Sequence, residues 1–198
     1  VIIGFGKGGK TLAGKLAGQG KKGAMIEKDA GMYGGTCINV GCIPSKSLVR
    51  SSGLSFNKKD ASLEERAADY EAAIDEKRRL TSMLREKNFK KLDDLANVDV
   101  YNGTASFVSN TVVEIETSEE TLEIEGEKIF INTGGTPVIP PIKGLEGNPY
   151  VYTSAELMDL REYPKQLVIV GGGYIGLEFS SMYSGFGTKV TVLQDGEV

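Results

Sequence analysis

Val1-Ile2-Ile3-Gly4-Phe5-Gly6-Lys7-Gly8-Gly9, closed by Ala24-Met25-Ile26-Glu27, is the stretch that decides the fold. Val1 to Ile3 read as a short apolar strand and the glycines after it as a tight turn. Thr11 to Gly18 read as a helix that Gly20 stops, and Ala24 to Ile26 as a second strand. That is a βαβ unit. The same unit returns near the other end. Leu167-Val168-Ile169-Val170 precedes Gly171-Gly172-Gly173-Tyr174-Ile175-Gly176, then come a helix to about Ser184 and a strand from Lys189 to Leu193. The step from Gly4 to Glu27 equals the step from Gly171 to Gln194, 23 residues each. A repeated βαβ unit is a far stronger signal than either glycine string alone.

Each copy has the spacing G-x-G-x-x-G, at Gly4, Gly6 and Gly9 and at Gly171, Gly173 and Gly176. Set between a strand and a helix, this is a dinucleotide-binding pattern. The glycines allow a tight turn and a close approach by a pyrophosphate. The helix start offers free N–H groups and partial positive charge to the phosphates. Glu27 occupies the slot where an acid accepts hydrogen bonds from a ribose diol, or else it is a solvated strand-end carboxylate. The second copy has Gln194 there, with Asp195 beside it. A neutral side chain neither repels a 2′-phosphate nor attracts one, so NADH and NADPH both stay open. Two such folds imply two dinucleotides, or one enzyme passing electrons between them.

The rest of the composition narrows the chemistry. The chain has 198 residues, 40% of them hydrophobic and 25% charged, which is ordinary soluble globular composition. Its net charge of -4 argues against a nucleic-acid footprint. No apolar run approaches the roughly 20 residues that span a bilayer. No export signal is visible, because the first residues already belong to a strand, and a cytoplasmic location is expected. Histidine is absent, which removes the commonest general base and metal ligand. Two cysteines alone cannot build a four-ligand zinc site, so no metal is expected. Chemistry must come from a thiol pair, a carboxylate, a lysine or a bound cofactor. The chain begins inside a strand and ends soon after its second motif starts, so it reads as a fragment.

Between the repeats, residues 31–46 form a glycine-rich loop with both cysteines, leading into a helix near Pro44 to Ser51. Residues 60–96 read as a charged amphipathic helix with an interrupted stripe of Leu63, Ala67, Tyr70, Ile74, Leu80 and Leu84. From 98 to 132 the period changes to short strands, at 98–100, 105–108, 112–115, 121–124 and 128–131. Turns at Asn102-Gly103, Ser109-Asn110 and Gly126 separate them. This predicts an antiparallel meander inserted in an α/β domain. Pro137, Pro140, Pro141 and Pro149 mark a stiff connector. The expected division is 1–145 and 150–198.

Cys37 and Cys42 are five apart. On a regular helix such residues lie about 140° apart around the axis, with Cα atoms roughly 8–9 Å apart. A disulfide needs Cα atoms within about 4.4–6.8 Å. If the two are joined, the segment is a distorted helix entrance, with Gly41 supplying freedom and Pro44 tolerated in the first turn. A cysteine at a helix start has a stabilised thiolate and a lowered pKa.

Gly34-Gly35-Thr36-Cys37-Ile38-Asn39-Val40-Gly41-Cys42-Ile43-Pro44-Ser45-Lys46 resembles the redox signature of the flavin-dependent pyridine nucleotide–disulfide oxidoreductases, which include dihydrolipoamide dehydrogenase, mercuric reductase and glutathione reductase. The likeness extends over the whole chain, from GFGKGG through INTGGTP to GGGYIGLE. YGGTCINVGCIPSKSLV, KNFKKLDDLANVDV and GEKIFINTGG look most like the bacterial reactive-chlorine-resistance members, which reduce hypothiocyanous acid.

The resemblance implies an α/β fold: a Rossmann-like FAD-binding domain with the meander inserted, then the start of a Rossmann-like NAD(P)-binding domain. It implies hydride passing from NAD(P)H to FAD, then to a Cys37–Cys42 disulfide and a small-molecule oxidised-sulfur substrate. Cys42 would be the charge-transfer thiolate and Cys37 the interchange thiol. Lys46 would lie near flavin N5, paired with Glu178. Gly35, Thr36, Thr104, Ala105, Thr133 and Gly134 would join the first glycine turn and Glu27 at FAD. Tyr174 would lid the nicotinamide pocket. The parent protein would be a homodimer. Its usual His–Glu acid–base pair comes from a C-terminal domain outside this chain, so a non-catalytic FAD-binding fragment is the competing reading. A dihydrolipoamide dehydrogenase or mercuric reductase is another.

Overall fold

The first strand is only two residues long, yet it pairs on both edges. A computed structural model gives the structure of residues 1–196. In it β1 (Ile2–Ile3) lies between β2 (Gly23–Glu27) and a distant strand, and the chain divides into two compact units. The first unit holds residues 1–42 and 81–138. The second holds residues 43–80 and 139 onward.

In the first unit α1 (Lys7–Ala17) links β1 to β2 as the crossover that parallel strands require. The helix starts four residues before the sequence places it, because Gly8 and Gly9 are already helical. A 3-10 turn follows at Ala30–Met32, then α2 (Thr36–Asn39). The next helices are α3 (Cys42–Phe56) and α4 (Leu63–Asp93), and the division between the units falls inside both. A Ser62–Glu65 capping box starts α4: Glu65 N donates to Ser62 Oγ (3.2 Å) and Ser62 N to Glu65 Oε2 (2.7 Å).

Strands β3 (Val98–Asn102), β4 (Thr104–Phe107), β5 (Val112–Glu116), β6 (Thr121–Glu125) and β7 (Phe130–Ile131) come next. Here the sequence expectation needs correction. β3 and β7 do not belong to the meander. They flank a parallel sheet in the order β3-β2-β1-β7, with Gly23 opposite Val98 and Ile2 opposite Phe130. Only β4, β5 and β6 form the antiparallel meander. Short alternating strands look alike in either sheet, and the pairing that separates them is long-range. Gly23, unusual in a strand, uses its N–H to bond Asn97 O at 2.9 Å.

Alternation along β1 and β2 divides the core between the two faces of the sheet. Ile2 and Met25 pack with Phe5, Ala13, Ala17, Leu92 and Val98. Ile3 and Ile26 pack with Val113 and Ile115 of the meander. The sheet is thus covered by helices on one face and by the meander on the other, which suits its continuous apolar strands.

The second unit contains α5 (Ser154–Leu157), β8 (Gln166–Val170), α6 (Tyr174–Gly185) and β9 (Lys189–Leu193). β8 and β9 are parallel, with Gln166 opposite Lys189. Their Leu167, Ile169 and Val190 pack against a core of Leu48, Tyr70, Ile74, Leu157, Phe179, Met182, Tyr183 and Phe186. The alternate residues Val168, Val170 and Leu193 are exposed. Tyr70 and Tyr183 are fully buried, and each hydroxyl donates to a backbone carbonyl, of Leu160 and Leu157 (2.7 and 2.8 Å). Buried Lys77 and half-buried Arg78 both donate to Asp159 (2.6 and 2.9 Å). No helix among the described residues is long and apolar enough to cross a membrane.

Candidate dinucleotide and redox site

The carboxyl ends of the first unit's strands gather the expected residues. Gly4 has φ +102° and donates its N–H to Ile26 O at 2.8 Å. Gly6 caps α1 with extended backbone (φ -73°, ψ 173°). A Cβ at Gly9 would fall 2.7 Å from Gly4 O and 2.9 Å from Ile2 Cγ2, so only glycine lets α1 start this close to β1. Glu27 ends β2. Its Oε2 accepts Phe5 N (2.9 Å) and its Oε1 accepts Asp29 N (3.2 Å). Gly103 N donates to Glu27 O (2.9 Å), which brings Thr104 and Ala105 to the end of the same strand.

One contributor lies inside the INTGGTP motif without having been singled out there. Asn132 follows β7 and crosses the glycine turn, its Nδ2 donating to Gly4 O (2.9 Å) and its N–H to Ile3 O (2.7 Å). A Cβ at Gly4 or Gly6 would meet Asn132 at 2.3 or 2.8 Å. Thr133 and Gly134 continue from it and are exposed. The signal was adjacency: Asn132 directly precedes the Thr-Gly pair already singled out.

The cysteine loop is laid against the same turn. Gly34 N donates to Phe5 O (3.1 Å), and a Cβ at Gly35 would fall 2.6 Å from Gly6 Cα. Gly35 (φ +73°) starts α2, so Thr36 and Cys37 begin their helix beside the start of α1. The chain then breaks at Val40-Gly41, and Cys42 opens α3. The distorted helix entrance is therefore two helices with a break between them.

Cys37 and Cys42 are free thiols in the structure, hydrogen-bonded to each other rather than joined by the expected disulfide. Cys37 is half-buried and Cys42 exposed. The Cys37 pKa lies above the ordinary thiol value. The hydrogen bond with Cys42 raises it first, then burial, then the charge of Cys42, while Lys7 and Lys10 pull it down less strongly. A helix of one turn has little dipole to set against a shared proton.

The second unit repeats the backbone turn. Gly171 has φ +108° and donates to Leu193 O at 2.8 Å. Gly173 caps α6 (φ -68°, ψ 176°), and a Cβ at Gly176 would fall 2.1 Å from Gly171 O. Gln194 Oε1 accepts Gly172 N (2.6 Å), the counterpart of the bond from Phe5 to Glu27. Tyr174 is exposed. Lys46 of α3 donates to Glu178 of α6 in an ion pair, with the lysine largely exposed. Among the described residues no cluster of His, Cys, Asp and Glu could hold a metal ion.

A glycine cradle at the carboxyl ends of parallel strands, with a thiol pair against it and a second copy of the turn downstream, defines an α/β dinucleotide-binding redox protein. The comparisons specify the family. The model of the pyridine nucleotide-disulphide oxidoreductases matches residues 1–197, and the chain belongs to that family. Pyridine nucleotide-disulfide oxidoreductase RclA of Escherichia coli K12 is 49% identical over 194 residues, covering 98% of this chain and 41% of that protein. Mercuric reductase of Lysinibacillus sphaericus is 36% identical over 100% of this chain and 36% of its own length. The solved structure of the HOCl-induced flavoprotein disulfide reductase RclA from E. coli matches with a TM-score of 0.86 at 48% identity, over 98% of this chain and 41% of that one. The chain spans about two-fifths of the length of these relatives. Family members use FAD and NAD(P)H. The crowded glycines and the acceptor at Glu27 fit an FAD pyrophosphate and ribose.

Proposed function

We propose that the chain is the FAD-binding and dithiol-bearing part of an NAD(P)H-dependent flavoprotein disulfide oxidoreductase acting on an oxidised-sulfur substrate such as hypothiocyanous acid. The observation that carries this reading is the contact of the cysteine loop with the glycine cradle, with Gly35 on Gly6 and Gly34 bonded to Phe5. Gly4, Gly6 and Gly9 would admit the FAD pyrophosphate, Glu27 its ribose, and Thr104, Ala105, Thr133 and Gly134 its remaining contacts. Gly171, Gly173, Gly176, Tyr174 and Gln194 would take the nicotinamide cofactor. When bound, FAD supplies the two-electron chemistry that reopens a Cys37–Cys42 disulfide at the expense of NAD(P)H.

The chain's own residues do the sulfur work. Cys37 meets the oxidised substrate, and Cys42, already hydrogen-bonded to it, closes the disulfide. Lys46, fixed by Glu178, supplies positive charge for an anionic reduced flavin. The cytoplasmic location and the homodimer are proposed on family likeness.

The test is a pair of variants in the flavin-loaded protein. Cys37→Ser leaves a Cys42 thiolate and gives a long-wavelength charge-transfer band. The band appearing in Cys42→Ser instead would reverse the two roles. Rapid oxidation of dihydrolipoamide with no turnover of hypothiocyanous acid would overturn the substrate.

A further inference from the structure

Two cationic side chains, Lys7 and Lys10, act on Cys37. Lys7 and Lys10 lie three residues apart on α1, on neighbouring positions of one helix face. Gly6, which starts that helix, touches Gly35, which starts the helix bearing Cys37. Lys10 is not left to sweep through solvent. Its Nζ donates to Asn88 Oδ1, and Asn88 Nδ2 donates to Leu84 O (2.6 Å). A Cβ at Gly34 would fall 3.4 Å from Asn88 Cγ. The cysteine loop, α1 and α4 therefore converge on one amide that fixes an ammonium.

The charges acting on Cys37 agree with this placement. Besides Cys42, Lys7 and Lys10 act on it, and both favour the thiolate. Reciprocally, Lys10 is held below the ordinary lysine range by burial first. Cys37 acts to raise it again, and Lys91 and Lys7 lower it. Fixed cations beside a reactive atom raise the local concentration of anions and steer their approach.

We propose that Lys7 and Lys10, the latter held by Asn88, are specificity-determining residues that make Cys37 selective for small anionic oxidants. This rests on the reading of Cys37 as the substrate-facing thiol and adds the charge of the substrate to it.

The chain has only two cysteines, so Cys42→Ser leaves Cys37 as its sole thiol. In that background the alkylation rates with iodoacetate (anionic) and iodoacetamide (neutral) are compared. Both reagents attack the same thiolate, so its population cancels in the ratio. Lys7→Gln with Lys10→Gln lowers the iodoacetate-to-iodoacetamide ratio roughly 3- to 10-fold. Asn88→Ala lowers it part of the way, and Lys10→Arg preserves it. With both lysines intact, raising salt from about 0.02 to 0.5 M also lowers the ratio, since the Debye length falls to a few ångströms. A ratio insensitive to salt, or unchanged by the double substitution, overturns the proposal. Iodoacetamide alone reports whether a variant remains folded around its thiol. The broader reading fails on a different measurement, absence of NAD(P)H oxidation by the flavin-loaded protein.

Discussion

Replacing Gly4 with alanine separates two costs that glycine turns usually confound. Gly4 and Gly171 hold the same place in the two copies and have nearly the same φ, +102° and +108°. An alanine at either strains the backbone by about 1–2 kcal/mol. Their surroundings differ. At Gly4 the new methyl would fall 2.3 Å from Asn132 O and 2.7 Å from its carbonyl carbon. Those are backbone atoms, and Asn132 is tied to β1 through its bond to Ile3 O, so no rotamer change relieves the clash. Overpacking of this kind adds about 1–3 kcal/mol. At Gly171 nothing lies within 4 Å. Gly4→Ala should therefore cost roughly 2–5 kcal/mol and Gly171→Ala only about 1–2. Native-state hydrogen exchange reads each unit separately, through β1 and β2 amides for one variant and β8 and β9 amides for the other. Equal losses of protection, or a greater loss for Gly171→Ala, would show that the Asn132 crossing does not constrain the first turn.

Other expectations concern the second unit. Asp159→Asn leaves buried Lys77 without its anionic partner and should destabilise the unit by about 1–3 kcal/mol at neutral pH, toward the low end because Asp159 is half exposed. Burial opposes ionisation of Asp159, but hydrogen bonds from Arg78 and Lys77 more than offset it and hold the carboxyl below its ordinary range. That stabilisation is present above the unfolded value of about 3.9 and is lost as pH falls through the lower folded value. Urea titrations from pH 7 to 2 should accordingly show a shallower acid limb in the variant, and identical limbs would count against the pair. Glu178→Gln breaks an ion pair whose lysine is mostly exposed, so the unfolding free energy should change by less than about 1 kcal/mol. Reduction of bound flavin by NAD(P)H should slow all the same. An unchanged rate in stopped-flow absorbance would remove Lys46 and Glu178 from the chemistry.

The two βαβ units were legible because strand, glycine turn and helix are local signals, and their repetition multiplied the weight of each. The cysteine loop was legible for the same reason. What stayed hidden was pairing over distance. Nothing local in Val98–Asn102 or Phe130–Ile131 tells a meander strand from an edge of the parallel sheet, because their partners Gly23–Glu27 and Ile2–Ile3 lie far back in the chain. The grouping of residues 43–80 with the C-terminal segment was hidden likewise, since it rests on Tyr70, Ile74, Tyr183 and Phe186 meeting in one core. α5 could have been read: Thr153-Ser-Ala-Glu156 is a capping box, with Thr153 N bonded to Glu156 Oε2 at 2.6 Å.

The repeat also answers a question that neither copy answers alone. Glu27 accepts the N–H of Phe5, and this bond by itself could explain an acid there as part of the turn. In the second copy Gln194 accepts the N–H of Gly172 in the same way. A neutral carbonyl therefore suffices to close the turn. The second polar atom differs as well: Glu27 Oε1 accepts from Asp29 N, while Gln194 Nε2 donates to Asp195 O. The negative charge of Glu27 is thus more than the turn requires. Each of its oxygens keeps a lone pair after its backbone bond, and a carboxylate with acceptor capacity to spare beside a glycine cradle is matched to a diol that donates two O–H groups. Gln194 in the same slot offers one acceptor and one donor and no charge, so the two cradles are not equivalent toward a ribose, as one chain holding two different dinucleotides would need.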